Sequence, residues 1–378
     1  MLHRIEGVKC SGVKEGKIGV GIVVCSGKIA AVYTKNKIKA APIKFNLQNL
    51  SDEVEGIIVN SGNANAFTGE EGVRRARIMA EFLASKLSCD VGKIAVASTG
   101  VIGRQLEIGE VVRIAEKAFS KLGSDENSSL SFAKAIMTTD RYPKMEYWEK
   151  GEVKIAGIAK GAGMINPSMA TMLAFVFSNA DISSRNMKRT LRRVVDRTFN
   201  RITVDGDTST NDTVFLVTTG EREVSEREFE KGLESVCFSL ARQIVKDGEG
   251  ASKLLLIKVE GARNNREAFK AAKSVANSLL VKTAFFGEDP NFGRIVAALG
   301  YSGVAVDEKL SISFKSDKGF VKVVDGGEVV INWDEARKVL SSEEIEIIIN
   351  LHKGNGKGFA LGCDLGYEYV KINSEYTT

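Results

Sequence analysis

Histidine is nearly missing from this chain of 378 residues: His3 stands near the N-terminus and His352 in a Gly- and Lys-rich turn. A Ser-His-Asp or Cys-His arrangement needs an imidazole beside its nucleophile. Neither histidine is a good candidate, so any nucleophile here needs a different base. Cysteine is sparse too. Cys10, Cys25, Cys89, Cys237 and Cys363 are scattered, form no CxxC pair and total an odd number, which favours free buried thiols in a reducing compartment over a disulfide framework or zinc site. With four prolines against 37 glycines, the turns are glycine turns. No apolar run reaches 18 residues, and the opening MLHRIEGVKCSG lacks the apolar segment of a signal peptide, so the expectation is a cytoplasmic protein with no membrane association. GxxxxGK[ST], GxGxxG and GxSxG are all absent, which removes the minimum residues for nucleotide-binding and hydrolase-elbow readings. Three glutamines stand beside abundant Lys and Glu, a balance found in hyperthermophile proteins.

What is present describes a globular protein. Apolar residues make up 43% and charged residues 27%, ordinary for a soluble chain, and the length suits two domains or subdomains. Two short strands are expected in residues 17–34, joined by a turn at Cys25-Ser26-Gly27, and another at GIIVN, residues 56–60. Thr68 with Glu71 reads as a capping box opening a helix whose apolar residues run from Val73 to Leu87 at helical spacing. KIAVAS (93–98) leads to Thr99-Gly100, and helices follow over about 108–122 and 128–137. A strand over 152–158 enters a Gly-rich turn, and 172–177 leaves it. Helices are expected over 184–200, 225–246 and 265–279, around the strand LLLIKVEG. From about Val281 short strands dominate: LSISFK, FVKVVD, EVVINW, EIEIIINLHKG and the final YVKIN. The expected fold class is α/β, a layered sandwich of mixed β-sheets and helices with a smaller C-terminal α/β region over about 281–378.

The centre of this plan is KGAGMINPSMATMLAFVFSNA, residues 160–180. A Gly- and Pro-containing turn is followed by the small-residue junction Ala170-Thr171 and an apolar run, which puts Thr171 at the lip of a core strand. Threonine suits strands for its β-branching alone. It can also be a nucleophile activated by its own α-amine, whose pKa of about 7.7 to 8 fits a general base; an internal Thr171 would first need the chain cut before it. TVDGDTSTNDT (203–213) invites a metal reading through Asp205, Asp207 and Asp212, but an EF-hand loop starting at Asp205 would need Gly where Thr210 stands and Glu where Leu216 stands. A hydrogen-bonded turn is the better reading. Arg185, Lys188, Arg189, Arg192, Arg193 and Arg197 make a basic helical segment, yet its face lacks aromatics for base stacking, and an exposed helix face is commonly charged; no nucleic-acid partner is expected.

KGAGMINPSMATML resembles the cleavage and nucleophile segment of the ornithine acetyltransferase family, the glutamate N-acetyltransferases of arginine biosynthesis. The resemblance extends in order through NSGNANAFTG (60–69), ASTGVIG (97–103), IMTTD (136–140), TVDGDTSTNDT, DGEGASK (247–253), VKTAFFGEDPNFGR (281–294) and the ending YVKINSEYTT. It implies an aminopeptidase/ornithine acetyltransferase-like fold and self-cleavage between Ala170 and Thr171, giving an α chain of residues 1–170 and a β chain of 171–378. It implies Thr171 as nucleophile, Thr99 and Gly100 as the oxyanion hole, and substrate contacts from Thr138, Lys160, Thr171, Glu249, Asn373 and Thr378, the chain end returning to the active site. Acetyl would pass from N-acetylornithine to glutamate, releasing ornithine and N-acetylglutamate, with no metal or organic cofactor and with the two chains assembling as a heterotetramer. These residues leave open whether acetyl-CoA is a second donor. An N-terminal-threonine amide hydrolase, with water as acceptor, is the alternative.

Overall fold

The computed structural model describes residues 1–166 and 172–375. In chain order the elements are β1 (Lys9–Glu15), β2 (Ile18–Tyr33), α1 (Ala41–Asn49), β3 (Glu53–Asn63), α2 (Gly69–Leu87), β4 (Ile94–Val101), α3 (Ile108–Phe119), α4 (Glu126–Ala135), β5 (Lys144–Lys150), β6 (Val153–Lys160), β7 (Leu173–Asp181), α5 (Ser184–Arg197), β8 (Thr213–Glu223) and α6 (Glu226–Lys246). Then come β9 (Leu254–Ala262), α7 (Asn265–Asn277), α8 (Leu279–Phe286), α9 (Phe292–Gly300), β10 (Ser311–Ser316), β11 (Gly319–Asp325), β12 (Glu328–Val329), α10 (Trp333–Leu340), β13 (Glu344–Asn350), β14 (Gly356–Cys363) and α11 (Tyr367–Glu375). Two compact units result. One comprises Met1–Asn200 and Asp207–Ile244; the other comprises Arg201–Gly206 and, among the described residues, 245–375. The expected layered α/β class holds in both, with mixed sheets covered by helices.

The first unit carries an eight-stranded sheet in the order β4-β3-β2-β8-β7-β6-β5, with β1 added against β2. The pairs β3·β4 and β7·β8 are parallel and the rest antiparallel. Its inner strands, such as β6 and β7, are near-continuous apolar runs because both faces are buried. Alternate residues go to opposite cores: Ile57, Val59, Ala95 and Ala97 pack with Phe132 of α4 and with Phe175 and Phe215, while Ile58, Ile94 and Val96 pack under α2 and α3. The second unit has a six-stranded sheet, β12-β11-β10-β13-β9-β14, with β9·β13 parallel. Here Ile345, Ile347 and Ile349 alternate with half-buried Glu344, Glu346 and Ile348, the period-two pattern of a sheet with one core face, which is packed by α7 to α10.

Several local expectations change. Residues 17–34 form one strand, β2, with a bulge between Val24 and Gly27 where a turn was expected. Partners on both flanks, β1 and β3 and then β8, keep the ladder going, and Gly27 serves close approach: a Cβ there would lie 2.5 Å from the Thr218 carbonyl oxygen. Thr68 is the N-cap of α2 without a capping box. Its hydroxyl donates to Asn65 Oδ1 at 2.9 Å, while Glu71 accepts from Arg74 and Arg75 at 2.7 and 2.6 Å, charge-assisted bonds that outcompete a backbone N–H. The C-terminal region is richer in helix than expected. YVKIN lies in α11, and EVVINW supplies only the two-residue β12 before α10 begins behind the N-cap Asn332, which accepts from Glu335 N at 3.2 Å. The strand preference of these β-branched residues is a weak local bias that packing overrides. The Gly-rich strand β14 and the helix α9 were not anticipated, and α4 starts at Glu126, capped by Asp125.

The basic helix α5 lies beside the glutamates Glu226, Glu230 and Glu234 of α6. Lys188 pairs with Asp52, Arg189 and Arg193 with Glu226, Arg193 and Arg197 with Glu230, and Arg197 with Glu234, at 2.5 to 3.3 Å. Lys188, Arg189, Arg193 and Arg197 therefore serve intramolecular pairs. No helix among the described residues is long and apolar enough to cross a membrane. The five cysteines are free, four of them buried.

Candidate functional site

Lys160 is the last residue of β6, opposite Leu173 at the start of antiparallel β7. The strand ending there aims a long side chain inward, and Lys160 is only 3% exposed. Its ammonium donates to Thr99 Oγ1 at 3.1 Å and to Thr138 Oγ1 at 2.9 Å. Three of the residues singled out in the sequence, from three separate stretches, thus meet at one nitrogen. Each hydroxyl spends a lone pair on the ammonium and keeps its hydrogen. A hydroxyl polarised this way is a strengthened donor toward a nearby oxyanion.

Asp140 holds the lysine in place. Its buried carboxylate accepts from Lys144 Nζ at 2.7 Å, from Gly161 N at 2.6 Å and from Thr138 N at 3.0 Å, and stands 4.0 Å from Lys160 Nζ. Burial alone would push this carboxyl up. The Lys160 and Lys144 charges, with the Lys144 and Gly161 hydrogen bonds, outweigh it and hold the group below the usual carboxylate range. Asp140 closes the block IMTTD (136–140), and its spacing of four from Lys144 is the sequence signal for this pair.

Gly100 follows Thr99 at the end of β4. Its φ is +133°, and a Cβ would meet the Gly62 carbonyl carbon at 2.3 Å and Asn63 N at 2.5 Å. The two strand ends of the parallel pair β3·β4 therefore approach through bare glycines, and only glycine fits. Ser98 donates to Asn60 Oδ1 at 2.5 Å, and Asn211 donates to the Ala64 and Ser98 carbonyls at 2.6 and 2.8 Å. The TSTND turn thereby braces the same strand ends. This is the hydrogen-bonded turn read from TVDGDTSTNDT, and among the described residues no group of three or more His, Cys, Asp or Glu is placed to hold a metal.

Asp212, in that turn, accepts the Met172 amide on Oδ1 at 2.9 Å; its Oδ2 is buried with no partner among the described residues. Burial pushes this carboxyl well above the usual range, against the Met172 bond, the Thr34 hydroxyl and the Lys160 charge. Ala170, Thr171 and Thr378 lie outside the described residues. In the second unit, Asn373 on α11 donates to Glu249 Oε2 at 2.9 Å. Gly250 has φ +70° and its missing Cβ would fall 2.4 Å from Tyr369 N, so the GEG turn and α11 pack at glycine distance. Here Glu249 is half-buried and Asn373 exposed.

A family model described as ArgJ family matches residues 4–378. The chain is 52% identical over 376 residues to the arginine biosynthesis bifunctional protein ArgJ of Archaeoglobus fulgidus, covering 99% of each. It is 44% identical over 387 residues to a glutamate N-acetyltransferase of Methanothermobacter thermautotrophicus, covering 99% of this chain and 96% of that one. Among solved structures, an arginine biosynthesis bifunctional protein ArgJ from Bacillus halodurans is similar with a TM-score of 0.50 and 41% identity, over 53% of this chain and 98% of its own.

Proposed function

The chain belongs to the ArgJ family, and on that premise we propose that it is an acyltransferase of arginine biosynthesis that moves acetyl from N-acetylornithine to glutamate through Thr171. In the first event the Thr171 hydroxyl attacks the Ala170 carbonyl, the C–N bond breaks with a proton delivered to the nitrogen, and water hydrolyses the resulting ester. The new α-amine of Thr171 then serves as base. It takes the hydroxyl proton as the oxygen attacks the acetyl carbonyl of N-acetylornithine, and returns it to the departing ornithine amine. Glutamate's amine attacks the acetyl-threonine in turn. This double displacement predicts ping-pong kinetics and has no step that calls for a metal or organic cofactor.

The observation that carries the reading is the buried Lys160 ammonium bridging the Thr99 and Thr138 hydroxyls. The Thr99 O–H with the Gly100 N–H would stabilise the tetrahedral oxyanion, and the Lys160 ammonium would favour an anionic group. Glu249, with Asn373 and Thr378, is assigned to the amino-acid part of the substrates. The two pieces are proposed to remain together and to pair as a heterotetramer.

A denaturing gel with N-terminal sequencing tests the nucleophile. Wild type should give pieces of about 18 and 22 kDa, by residue count from 40.9 kDa, the larger beginning Thr-Met-Leu. Thr171→Ala should give one intact chain without transfer activity, because alanine has no hydroxyl to start the shift. Assays with N-acetylornithine and with acetyl-CoA decide the donor, and acetyl release without glutamate would mark a hydrolase instead.

A further inference from the structure

Glu249 rides on a stretch with no regular structure, residues 247–253, which follows α6 and precedes β9. A side chain on such a stretch keeps a fixed place only if the backbone around it is held. Asp364 does the holding. It is the first residue past β14, whose last residue Cys363 lies opposite Leu254 at the start of antiparallel β9, and its side chain reaches back to the two residues just before β9. Oδ1 accepts from Ser252 N and from Lys253 N, each at 2.9 Å, and Oδ2 accepts from the Ser252 hydroxyl at 2.5 Å. The Asp364 N–H donates in return to the Lys253 carbonyl at 3.3 Å. One carboxyl, 2% exposed, thus satisfies three donors that stand before the ladder begins.

Asp364 is itself held from α8. Lys282, 1% exposed, donates from Nζ to the Cys363 carbonyl at 2.5 Å, and its own carbonyl accepts from Leu365 N at 3.3 Å, so one residue fixes the backbone on both sides of the aspartate. Just beyond, a Cβ on Gly366 would fall 2.3 Å from the Phe286 ring, which sets where α11, and Asn373 on it, can start. Resting on the assignment of Glu249 to the amino-acid part of the substrates, we infer that Asp364 is a positioning residue for Glu249, with Lys282 fixing Asp364. It acts through the Ser252 and Lys253 backbone, and what it contributes to substrate affinity is contributed through Glu249. The block VKTAFFGEDPNFGR thereby gains a role as the footing of the DGEGASK turn.

Acetyl-transfer kinetics of the full-length enzyme with N-acetylornithine varied, for wild type, Asp364→Ala, Asp364→Asn, Glu249→Ala and the double variant Asp364→Ala with Glu249→Ala, test this. Asp364→Ala should raise KM about fivefold to tenfold with kcat within about twofold of wild type, the signature of lost pre-organisation for binding. Asp364→Asn keeps an acceptor for the two N–H groups and should stay within about threefold. In the Glu249→Ala background, Asp364→Ala should change KM by less than about twofold, because no carboxylate remains to be positioned. An aspartate that serves stability alone would act alike in both backgrounds. If circular dichroism shows that Asp364→Ala does not fold, Asp364→Asn and Ser252→Ala carry the same comparison, each raising KM about threefold with Glu249 present and leaving it unchanged without. An unchanged KM in folded Asp364→Ala, or an equal rise with and without Glu249, would overturn the inference while leaving Glu249 in the substrate site. Glu249→Ala with an unchanged KM would overturn the assignment of Glu249, and this inference with it.

Discussion

The two groups of candidate residues live in opposite physical settings. In the first unit Thr99, Asp140, Lys144 and Lys160 are buried at strand ends of a sheet covered on both faces. In the second, Glu249 and Asn373 meet at the surface beside a sheet with one core face. A charge in the first setting must be matched atom by atom, because desolvation of an ion costs several kcal/mol. A charge in the second is largely solvated, and its contacts add little to stability. Mutations should therefore split the groups: the buried one couples function to folding, and the surface one does not.

Asp140 is where that contrast should break most visibly. Asp140→Ala strips Lys144 and Lys160 of their shared carboxylate, and unfolding titrations should show a loss of about 3 to 5 kcal/mol, as for other buried pairs left half-made. The sign of the pH dependence follows from the depressed carboxyl. Its stabilisation is present above the unfolded aspartate pKa of about 4 and is lost as pH falls toward the folded value. Acid titration of Asp140→Asn should lack that limb while starting from lower stability at neutral pH.

Thr99→Val comes next. It keeps the shape but removes both the acceptor for Lys160 and the proposed oxyanion donor. Turnover should fall about 100-fold to 1000-fold, and stability by about 1 to 3 kcal/mol, read by acetyl-transfer kinetics and thermal melts. The smallest stability effect belongs to the surface pair. Asn373→Ala and Glu249→Gln should shift unfolding by no more than about 0.5 kcal/mol. Glu249→Gln should nonetheless raise KM for ornithine-bearing substrate about tenfold, the cost of one weakened hydrogen bond to a charged group. If Asn373→Ala destabilises as much as Thr99→Val, the division between buried and surface groups is wrong.

Legibility in the sequence followed the same physics. Where an element buries one stripe or one full run, pattern sufficed: helix α5 with Met187, Leu191, Val194 and Val195 inward, and strands β3 and β4 as apolar runs. Where a choice depended on remote partners, pattern failed. Ser26-Gly27 looks like a turn until β3 and β8 flank it, and YVKIN looks like a strand until α11 forms with Tyr367 edge-on to Phe286, ring centroids 5.6 Å apart. Asp140 draws no attention among many aspartates, and Asp212 draws it only as a candidate metal ligand, because charge cost depends on burial, and burial is not local.

By itself the sequence determined the layered α/β class, the family, and the short roster of threonines, glycines and one lysine around which the candidate site is built. Only the tertiary structure decided that Lys160 bridges Thr99 and Thr138, that Asp140 and Lys144 are buried beside it, and that Asp212 grips Met172. The reason is that these contacts are made where separate strands end. Their energies come from desolvation and from hydrogen-bond geometry, and neither exists until the sheet has brought those ends together.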